Sequence, residues 1–399
     1  MYGLNRLPRG FVAGVAAAPA AFLALFYAWP FVTIAARGLS TAPLARSRTW
    51  DVVWFTTWQA ALSTALTVAL GLLPTWAVAR FTFPGRQALL ALLTAVFVLP
   101  TVVVGAAFAA LLPDGYDRGV LAILAAHVAF NLAVIVRVVG AAWEQLPRAV
   151  DEAAAALGAS PWQTFRSVTL PVLRPAIVSA ASIVFVFAFT SFGVIRVLGT
   201  TGTTTIEVEV WRRATQLGDI GGAATLTLLQ LAALGTAVFV STRLQRRRTF
   251  ALDLDPHARR ATPRGSQRWW VGGAALVTAV IVLMPLAALL ERSLRTADGY
   301  GLTAWRGLGN SEIRPGLSLG IDPLGALRQS LTTAVVATAV TVLIGGLAAV
   351  AITTTRRGGA VLDVGMTLPL ATSAVTIGFG MLITFDTAPY DWRSEWWLV

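Results

Sequence analysis

The sequence predicts an all-α membrane protein, and three observations lead to this fold class. The chain is strongly apolar, with 56% hydrophobic residues, only 13% charged residues and a mean hydropathy of +0.71. Its apolar residues lie in uncharged runs of roughly 20 residues, the length that an α-helix needs to cross the hydrocarbon core of a bilayer. Polar, Pro-containing or Arg-rich stretches separate these runs, as in a chain that crosses the membrane several times.

We expect nine membrane-spanning helices. They cover residues 11–36, 52–79, 88–112, 119–136, 176–195, 220–242, 269–290, 329–355 and 364–385. Arg6 and Arg9 precede the first run as in a signal peptide, but the run is too long for a cleaved segment, so we favour a retained span. The distribution of arginine between the loops favours a cytoplasmic N-terminus.

The charged residues exclude several functions. The net charge of +12 comes from arginines scattered between apolar runs, so we expect contact with membrane lipid and no nucleic-acid partner. All 31 basic residues are arginine, which excludes a Walker A loop because that loop needs a lysine. With no cysteine, and with His127 and His257 in no ligand spacing, we expect no metal site and no cofactor. The spans lack the convergent polar groups of an enzyme.

Two halves of the chain look like copies of one unit. Four small residues of the second span recur in the eighth at a constant offset: Ala60, Thr64, Thr67 and Gly71 match Ala334, Thr338, Thr341 and Gly345. A Leu-Pro pair follows in the next span of each half, at Pro100 and at Pro369. Transporters are commonly built from such repeats, although chance similarity of apolar helices is the alternative.

The repeat predicts the domain organisation. Residues 1–242 form a complete six-span unit, residues 243–268 form an Arg-rich cytoplasmic linker, and residues 269–399 form an incomplete second unit of three spans. The linker either anchors the spans at the anionic inner leaflet or binds a regulatory partner. By the spacing of the first half, the second half is expected to be cut short.

The loop at residues 143–175, between the fourth and fifth spans, carries the strongest local signals. Pro147 can open a helix, and Gly158 fits the left-handed position that ends one. A capping box and a first-turn proline follow, formed by Ser160, Pro161 and Gln163. We expect Pro171 to stop this second helix. The sequence thus predicts two short helices and a glycine turn on the cytoplasmic face; an interfacial hairpin without a partner is the alternative.

In this loop, Glu152, Ala153 and Ala154 are followed by Gly158 and, after nine further residues, by Val168, Leu170 and Pro171. This spacing resembles the signature of the integral-membrane subunits of bacterial ABC importers, with valine in place of isoleucine at 168. Residues 126–131, 189–193 and 204–211 extend the resemblance to the fused, double-length permeases of the iron(III) and thiamine import family.

The resemblance implies a transport function and its partners. The loop would dock into a separate cytoplasmic ATP-binding subunit and couple nucleotide closure to opening of the pathway. The coupling residues would be Glu152, Ala153, Ala154, Gly158, Ser160, Pro161, Leu170 and Pro171. An extracytoplasmic solute-binding protein would deliver a small solute, of the iron(III) or thiamine class, to this multi-pass protein of the bacterial cell membrane. A second coupling loop would lie beyond residue 399.

Four polar residues outside the loop are further candidates. His127 and Asn131 share a face of the fourth span, where they either hydrogen-bond to other helices or line the pathway. Glu207 and Glu209 alternate with apolar residues, so an extended segment would place both carboxylates on one side. There they either contact the solute-binding protein or solvate a loop.

An ion-coupled secondary transporter or channel is the alternative function. Ion coupling generally needs ionisable residues inside the spans, and His127 is almost alone there. The low number favours a transporter whose energy comes from a separate subunit.

Overall fold

The computed structural model describes residues 9–38, 42–246, 260–297, 299–309, 312–314, 317–318, 322–354, 357–386, 391–392 and 395. Their α-helices are α1 (Arg9–Leu23), α2 (Trp29–Arg37), α3 (Ser47–Arg80), α4 (Arg86–Val98), α5 (Thr101–Leu111), α6 (Val120–Glu144), α7 (Arg148–Ala156), α8 (Pro161–Thr164), α9 (Leu170–Phe189), α10 (Gly193–Leu198), α11 (Ile206–Thr215), α12 (Ile220–Arg246), α13 (Gln267–Leu294), α14 (Thr303–Arg306), α15 (Pro323–Thr354), α16 (Arg357–Thr367) and α17 (Ala374–Thr384). Two short antiparallel hairpins pair β1 (Arg295–Thr296) with β2 (Gly299–Tyr300) and β3 (Glu312–Arg314) with β4 (Leu317–Ser318).

Within the described part of the chain, seven helices are long and apolar enough to cross a membrane. They are Gly14–Arg37, Ser47–Arg80, Val120–Glu144, Pro161–Phe189, Ile220–Arg243, Gln267–Leu294 and Pro323–Thr354. They confirm the all-α membrane fold and seven of the nine predicted spans. Two of these helices include a π-helical segment, at Ala24–Ala28 and at Phe165–Thr169.

The third predicted span, 88–112, is not one straight helix. It consists of α4 and α5, whose axes differ in direction by 107°. The helices meet at Leu99 and Pro100, both of which have extended backbone. A proline cannot donate a backbone hydrogen bond and disfavours helical geometry in the residue before it, which accounts for the break.

The ninth predicted span, 364–385, is likewise interrupted. α16 ends at Thr367, a 3₁₀ turn covers Leu368–Ala371, and α17 then begins after Ser373. The Ser373 hydroxyl accepts hydrogen bonds from the backbone N–H groups of Val375 and Thr376, at 3.1 and 3.3 Å. This cap starts a new helix of 11 residues, which is too short to span a membrane by itself.

The described residues divide into two compact units, neither of which is continuous in sequence. The first unit contains residues 1–43, 210–228 and 293–399, and the second contains residues 44–209 and 229–292. The predicted division into 1–242, 243–268 and 269–399 stays a prediction, and residues 247–259 of the linker lie outside the described residues.

In the first unit, α1 packs on α15 and α2 packs on α17. The Tyr27 hydroxyl is hydrogen-bonded to the Thr372 hydroxyl at 2.7 Å. A Cβ placed on Gly380 would lie 3.0 Å from Pro30 Cβ, so the absence of a side chain allows α17 to approach α2 closely.

In the second unit, α3 packs along α6, and α9 packs on both. Along the α3–α6 contact, Ser63 is hydrogen-bonded to His127, and a Cβ placed on Gly71 would lie 2.9 Å from Ile135 Cγ2. The contacting residue numbers rise together in the two helices, so α3 and α6 are parallel. Small residues at four-residue intervals, as here, let membrane helices approach closely.

This parallel packing determines how often α4 and α5, which we call the bent pair, cross the membrane. Two parallel spans must be separated by an odd number of crossings, and α4 and α5 are the helices between α3 and α6. The pair therefore completes one crossing. We call the end of this unit near Arg80 and Glu144 the loop end, because α7 follows there, and the opposite end the far end.

Candidate functional site

The loop that follows α6 has the two helices and the glycine turn that its sequence predicts. α7 ends in a Schellman turn: Gly158 N–H donates to Ala155 O at 2.9 Å, and Ala159 N–H donates to Ala154 O at 3.0 Å. Gly158 has a φ of +81°, a conformation that favours glycine. Pro147 caps the start of α7, with Asp151 in its first turn.

The second helix of the loop starts with the predicted capping box. Ser160 N–H donates to Gln163 Oε1 at 2.8 Å, and Gln163 N–H donates to Ser160 Oγ at 3.3 Å. Pro161 occupies the first turn, where its missing N–H costs no hydrogen bond. Because both turns are closed by local bonds, the loop has a defined shape rather than a variable one.

The prediction that Pro171 stops this helix is wrong. The chain stays helical from Pro161 to Phe189, through a π-helical segment at Phe165–Thr169. Leu170 N–H donates to Phe165 O, five residues back, so the helix is locally widened just before Pro171. The widened turn accommodates the proline, and the loop continues directly into the membrane-crossing part of α9.

The tip of the loop exposes apolar side chains. Leu157 is 89% and Trp162 67% exposed, and Glu152 and Gly158 are exposed beside them. The Trp162 ring stacks on Phe165, with centroids 5.6 Å apart. Phe165 in turn stacks on the buried Trp143 ring of α6, at 6.0 Å, so the tip is connected to the packed core.

Arg80, the last residue of α3, holds the base of the loop. Its guanidinium donates to Leu146 O at 2.7 Å and forms an ion pair with Asp151 of α7. Arg80 is buried, so these partners replace the water that its charge would otherwise need.

A second ionic cluster surrounds Glu144, the last residue of α6. Glu144 forms ion pairs with Arg86, at 3.8 Å, and with Arg260. Arg86 also donates through Nε to Val78 O at 2.9 Å. Next to this cluster, Ala261 pairs with Phe81 through an isolated parallel bridge. Neither cluster was predictable from local sequence patterns, because Arg80 and Asp151 are 71 residues apart and Glu144 is 58 and 116 residues from its two arginine partners.

His127 and Asn131 lie buried inside the second unit. His127 is hydrogen-bonded through both ring nitrogens, to Ser63 of α3 and to Ser191 between α9 and α10. Asn131 donates through Nδ2 to His127 O, within its own helix, at 2.9 Å. His127 thus makes contacts between helices, whereas the bond from Asn131 Nδ2 stays within α6. A role of either residue in lining a pathway stays a prediction.

The predictions for Glu207 and Glu209 need correction. Both lie in α11 rather than in an extended segment, and both are buried, so they do not solvate a loop. Gln230 of α12 donates to Glu207, and Glu209 lies 3.7 Å from Arg48 of α3. Alternation with apolar residues suggested a strand, but buried polar partners from distant segments stabilise the helix. Contact with a solute-binding protein stays a prediction, and buried carboxylates offer it little surface.

Among the described residues, no group of three or more His, Asp or Glu side chains could hold a metal ion. His257 lies outside these residues. The features that remain as a candidate site are therefore the shape, the exposed tip and the ionic base of the loop.

Comparison with known proteins adds to this geometry. Residues 67–251, which include the whole loop, match the family described as binding-protein-dependent transport system inner membrane component. The chain is 35% identical over 251 residues to the thiamine transport system permease protein ThiP of Escherichia coli (strain K12), covering 58% of this chain and 45% of that protein. It is 29% identical over 357 residues to ThiP of Brucella abortus (strain 2308), covering 84% and 62%.

A shorter relative is matched over more of its own length. The putrescine transport system permease protein PotI of Escherichia coli (strain K12) is 30% identical over 196 residues, which cover 47% of this chain and 69% of that protein. The chain spans about half the length of the thiamine relatives, between 45% and 62%.

Proposed function

The chain belongs to the binding-protein-dependent transport system inner membrane component family, and on this premise we propose that it is the permease subunit of an ATP-driven ABC importer. The observation that carries the proposal is the loop at residues 143–175: two short helices, locked by a Schellman turn and a capping box, end in an exposed apolar tip. A rigid projection of this kind can transmit movement from a partner to the helices it joins.

The proposed partner at the loop end is a separate ATP-binding subunit. Exposed Leu157 and Trp162 offer it apolar contact, and large aromatic side chains often dominate such interfaces. Glu152 and Gly158 lie next to them on the accessible side. A solute-binding protein would deliver the solute at the far end. One candidate span precedes α3 in the part of the chain that the structure describes, so with a cytoplasmic loop end we also propose a cytoplasmic N-terminus.

Thiamine is the solute that we propose. The support is the similarity to thiamine transport system permeases, which extends over as much as 84% of this chain. Iron(III) stays a prediction without such support. Family membership also favours ATP-driven import over ion-coupled transport, the alternative that the sequence left open.

Substitution of Gly158 tests the docking role, and Gly85 provides a matched control. Both glycines have φ near +80°, and no heavy atom of the described residues lies within 4 Å of a Cβ built on either, so alanine strains both backbones alike. Gly158→Ala should reduce co-purification of the ATP-binding subunit and ATP-dependent thiamine uptake, whereas Gly85→Ala should preserve both.

A second pair of variants tests the apolar tip. Trp162→Ala should weaken binding of the ATP-binding subunit by about 2 kcal/mol, the size expected for an aromatic side chain at the centre of an interface. The control is Trp54→Ala, because Trp54 is 69% exposed but lies in α3, away from the loop. Equal binding by the two variants, measured by titration of the purified subunits, would contradict the proposed interface.

A further inference from the structure

The break between α9 and α10, at residues 190–192, leaves backbone polar groups inside the second unit without helical hydrogen-bond partners. α9 ends at Phe189, so its last carbonyl groups lack donors from a following helical turn. In a membrane-embedded bundle each unsatisfied backbone group is costly, and non-helical backbone persists only where other groups satisfy it. The partners that satisfy this break therefore determine its shape.

Side chains of α3 and of Thr205, just before α11, supply two bonds to the break and one to the first N–H group of α11. Gln59 donates through Nε2 to Ala188 O at 2.9 Å, and Thr205 donates through Oγ1 to Ser191 O at 3.2 Å. Thr56 Oγ1 accepts from Ile206 N–H at 3.0 Å. All of these polar side chains are buried, so the bonds are not exchanged for bonds to bulk water.

His127 of α6 joins the break to the rest of the bundle. Its Nδ1 lies 3.1 Å from Ser63 Oγ, and its Nε2 lies 2.9 Å from Ser191 Oγ. The ring is 2% exposed, and both serines are buried. One side chain on α6 thus links α3 to the middle of the break.

The position of the break sets the position of α10 on α5. A Cβ placed on Gly193 would lie 2.6 Å from Val102 N, and a Cβ placed on Gly105 would lie 2.9 Å from Val197 Cβ. Contacts this close tolerate little displacement. α5 and α10 are the short helices at the far end that follow the bend in one span and the break in another.

We propose that His127 is a positioning residue: by bonding Ser63 and Ser191 together it fixes the α9–α10 break and keeps α10 packed on α5, and transport requires this packing. The first part of the proposal depends only on the geometry. The second part rests on the proposed function, and the experiment below separates the two.

The packing of α10 on α5 can be measured directly because the chain has no cysteine. In the double variant Gly105→Cys with Val197→Cys, the two Cβ atoms start about 1 Å closer than the mean of about 3.8 Å found in disulfides, so α5 and α10 must separate slightly before they can be cross-linked. The yield of cross-link after mild oxidation, read on gels after cleavage between the two sites, reports the packing without any need for transport.

Three substitutions are then added to this cysteine pair. His127→Leu removes both bonds at similar volume and should raise the rate of cross-linking about threefold to tenfold, because an α10 that has lost buried interhelical hydrogen bonds separates from α5 more readily. His127→Gln restores the rate, because its amide offers a donor and an acceptor at nearly the spacing of the ring nitrogens. Asn131→Leu is the control for this rate, since Asn131 Nδ2 donates to a carbonyl group of its own helix.

ATP-driven thiamine uptake is measured for the same His127 variants without the cysteine pair. We expect His127→Leu to lose uptake and His127→Gln to retain it. An unchanged cross-linking rate in His127→Leu overturns the positioning role. A higher rate with normal uptake overturns the requirement for transport. If the parent protein and its ATP-binding subunit show no uptake, the proposed function fails, and the cross-linking rates still decide the positioning role.

Discussion

Gly71 lies where α3 and α6 touch, and its lack of a side chain is a condition of their packing. Gly71→Ala would bring a Cβ within 2.9 Å of Ile135 Cγ2. We expect a loss of about 1–3 kcal/mol of stability, the usual result of adding a methyl group to a filled interior. The measurement is the thermal midpoint of the protein in detergent, followed by size-exclusion chromatography.

The control for this substitution is Gly345→Ala, at the matching position of the repeat. There, no heavy atom among the described residues approaches within 4 Å of an added Cβ, so little change is expected. Combining Gly71→Ala with Ile135→Ala should cost less than the sum of the single effects. Equal effects of the two glycine substitutions would show that the α3–α6 contact is not this close.

Individual residues were predictable from sequence where their partners are near in the chain. Gly158 and the Ser160–Gln163 capping box interact with residues three to five positions away, and both were predicted correctly. Glu207 and Glu209 were misassigned because the partners that bury them, Gln230 and Arg48, lie in other helices. Local spacing has no information about such contacts.

The loop as an element depends on the buried Arg80. Replacing it in Arg80→Met leaves the buried Leu146 O without this donor, and an unsatisfied buried hydrogen-bonding group costs about 1–3 kcal/mol. We expect the backbone amides of α7 to exchange hydrogen about ten times faster than in the parent, since 1.4 kcal/mol corresponds to a factor of ten. Hydrogen exchange with mass spectrometry measures this rate.

Asp151→Asn provides the comparison for α7. It removes a half-exposed charge but leaves the bond from Arg80 to Leu146 O, and exposed ion pairs contribute at most about 1 kcal/mol. The exchange rate of α7 should therefore change much less than in Arg80→Met. A change as large in Asp151→Asn would mean that the ion pair, rather than the bond to Leu146, holds the loop.

Proline positions show why helix ends were only partly predictable. Pro74 lies inside α3 without ending it, Pro100 coincides with a bend of 107°, and Pro171 follows a π-helical segment within a continuous helix. The same residue type has three outcomes because neighbouring helices and local widening decide whether the lost hydrogen bond is tolerated. Sequence identifies the position of the irregularity, but its form depends on packing.

The interruptions of the third and ninth predicted spans support an internal repeat. Both occur at a Leu-Pro pair, Leu99–Pro100 between α4 and α5 and Leu368–Pro369 between α16 and α17. Each pair follows a span with the shared small residues, at Gly71 in one half and Gly345 in the other. Chance similarity of apolar helices would not by itself reproduce a helix break at the same point.

For the molecule as a whole, the parallel packing of α3 and α6 makes a prediction about topology. Single cysteines at Thr82 and at Tyr116, both exposed, lie before and after the bent pair. Because the pair crosses the membrane once and we propose that the loop end is cytoplasmic, a membrane-impermeant maleimide should label Tyr116→Cys from outside intact cells and Thr82→Cys only after permeabilisation. Labelling of both from one side would contradict the crossing.

The overall fold was more predictable than its details for a physical reason. The bilayer requires long apolar helices, and these are recognisable from the composition and from the length of the apolar runs. The fold class and seven spans could therefore be predicted. The direction of the bent pair and the contacts of His127 depend on which helices pack together, and the pattern of apolar residues does not specify these helix pairs.

The continuous helix from Pro161 to Phe189 connects the capping box of the loop to the break at residues 190–192. With 29 residues it is about 43 Å long, at 1.5 Å per residue. As a lever of this length, it converts a tilt of about 5° at the loop into a displacement of about 4 Å at the opposite end. A small angular change at the surface can thus become a movement of atomic dimensions beside Ser191, without any change in the helix itself.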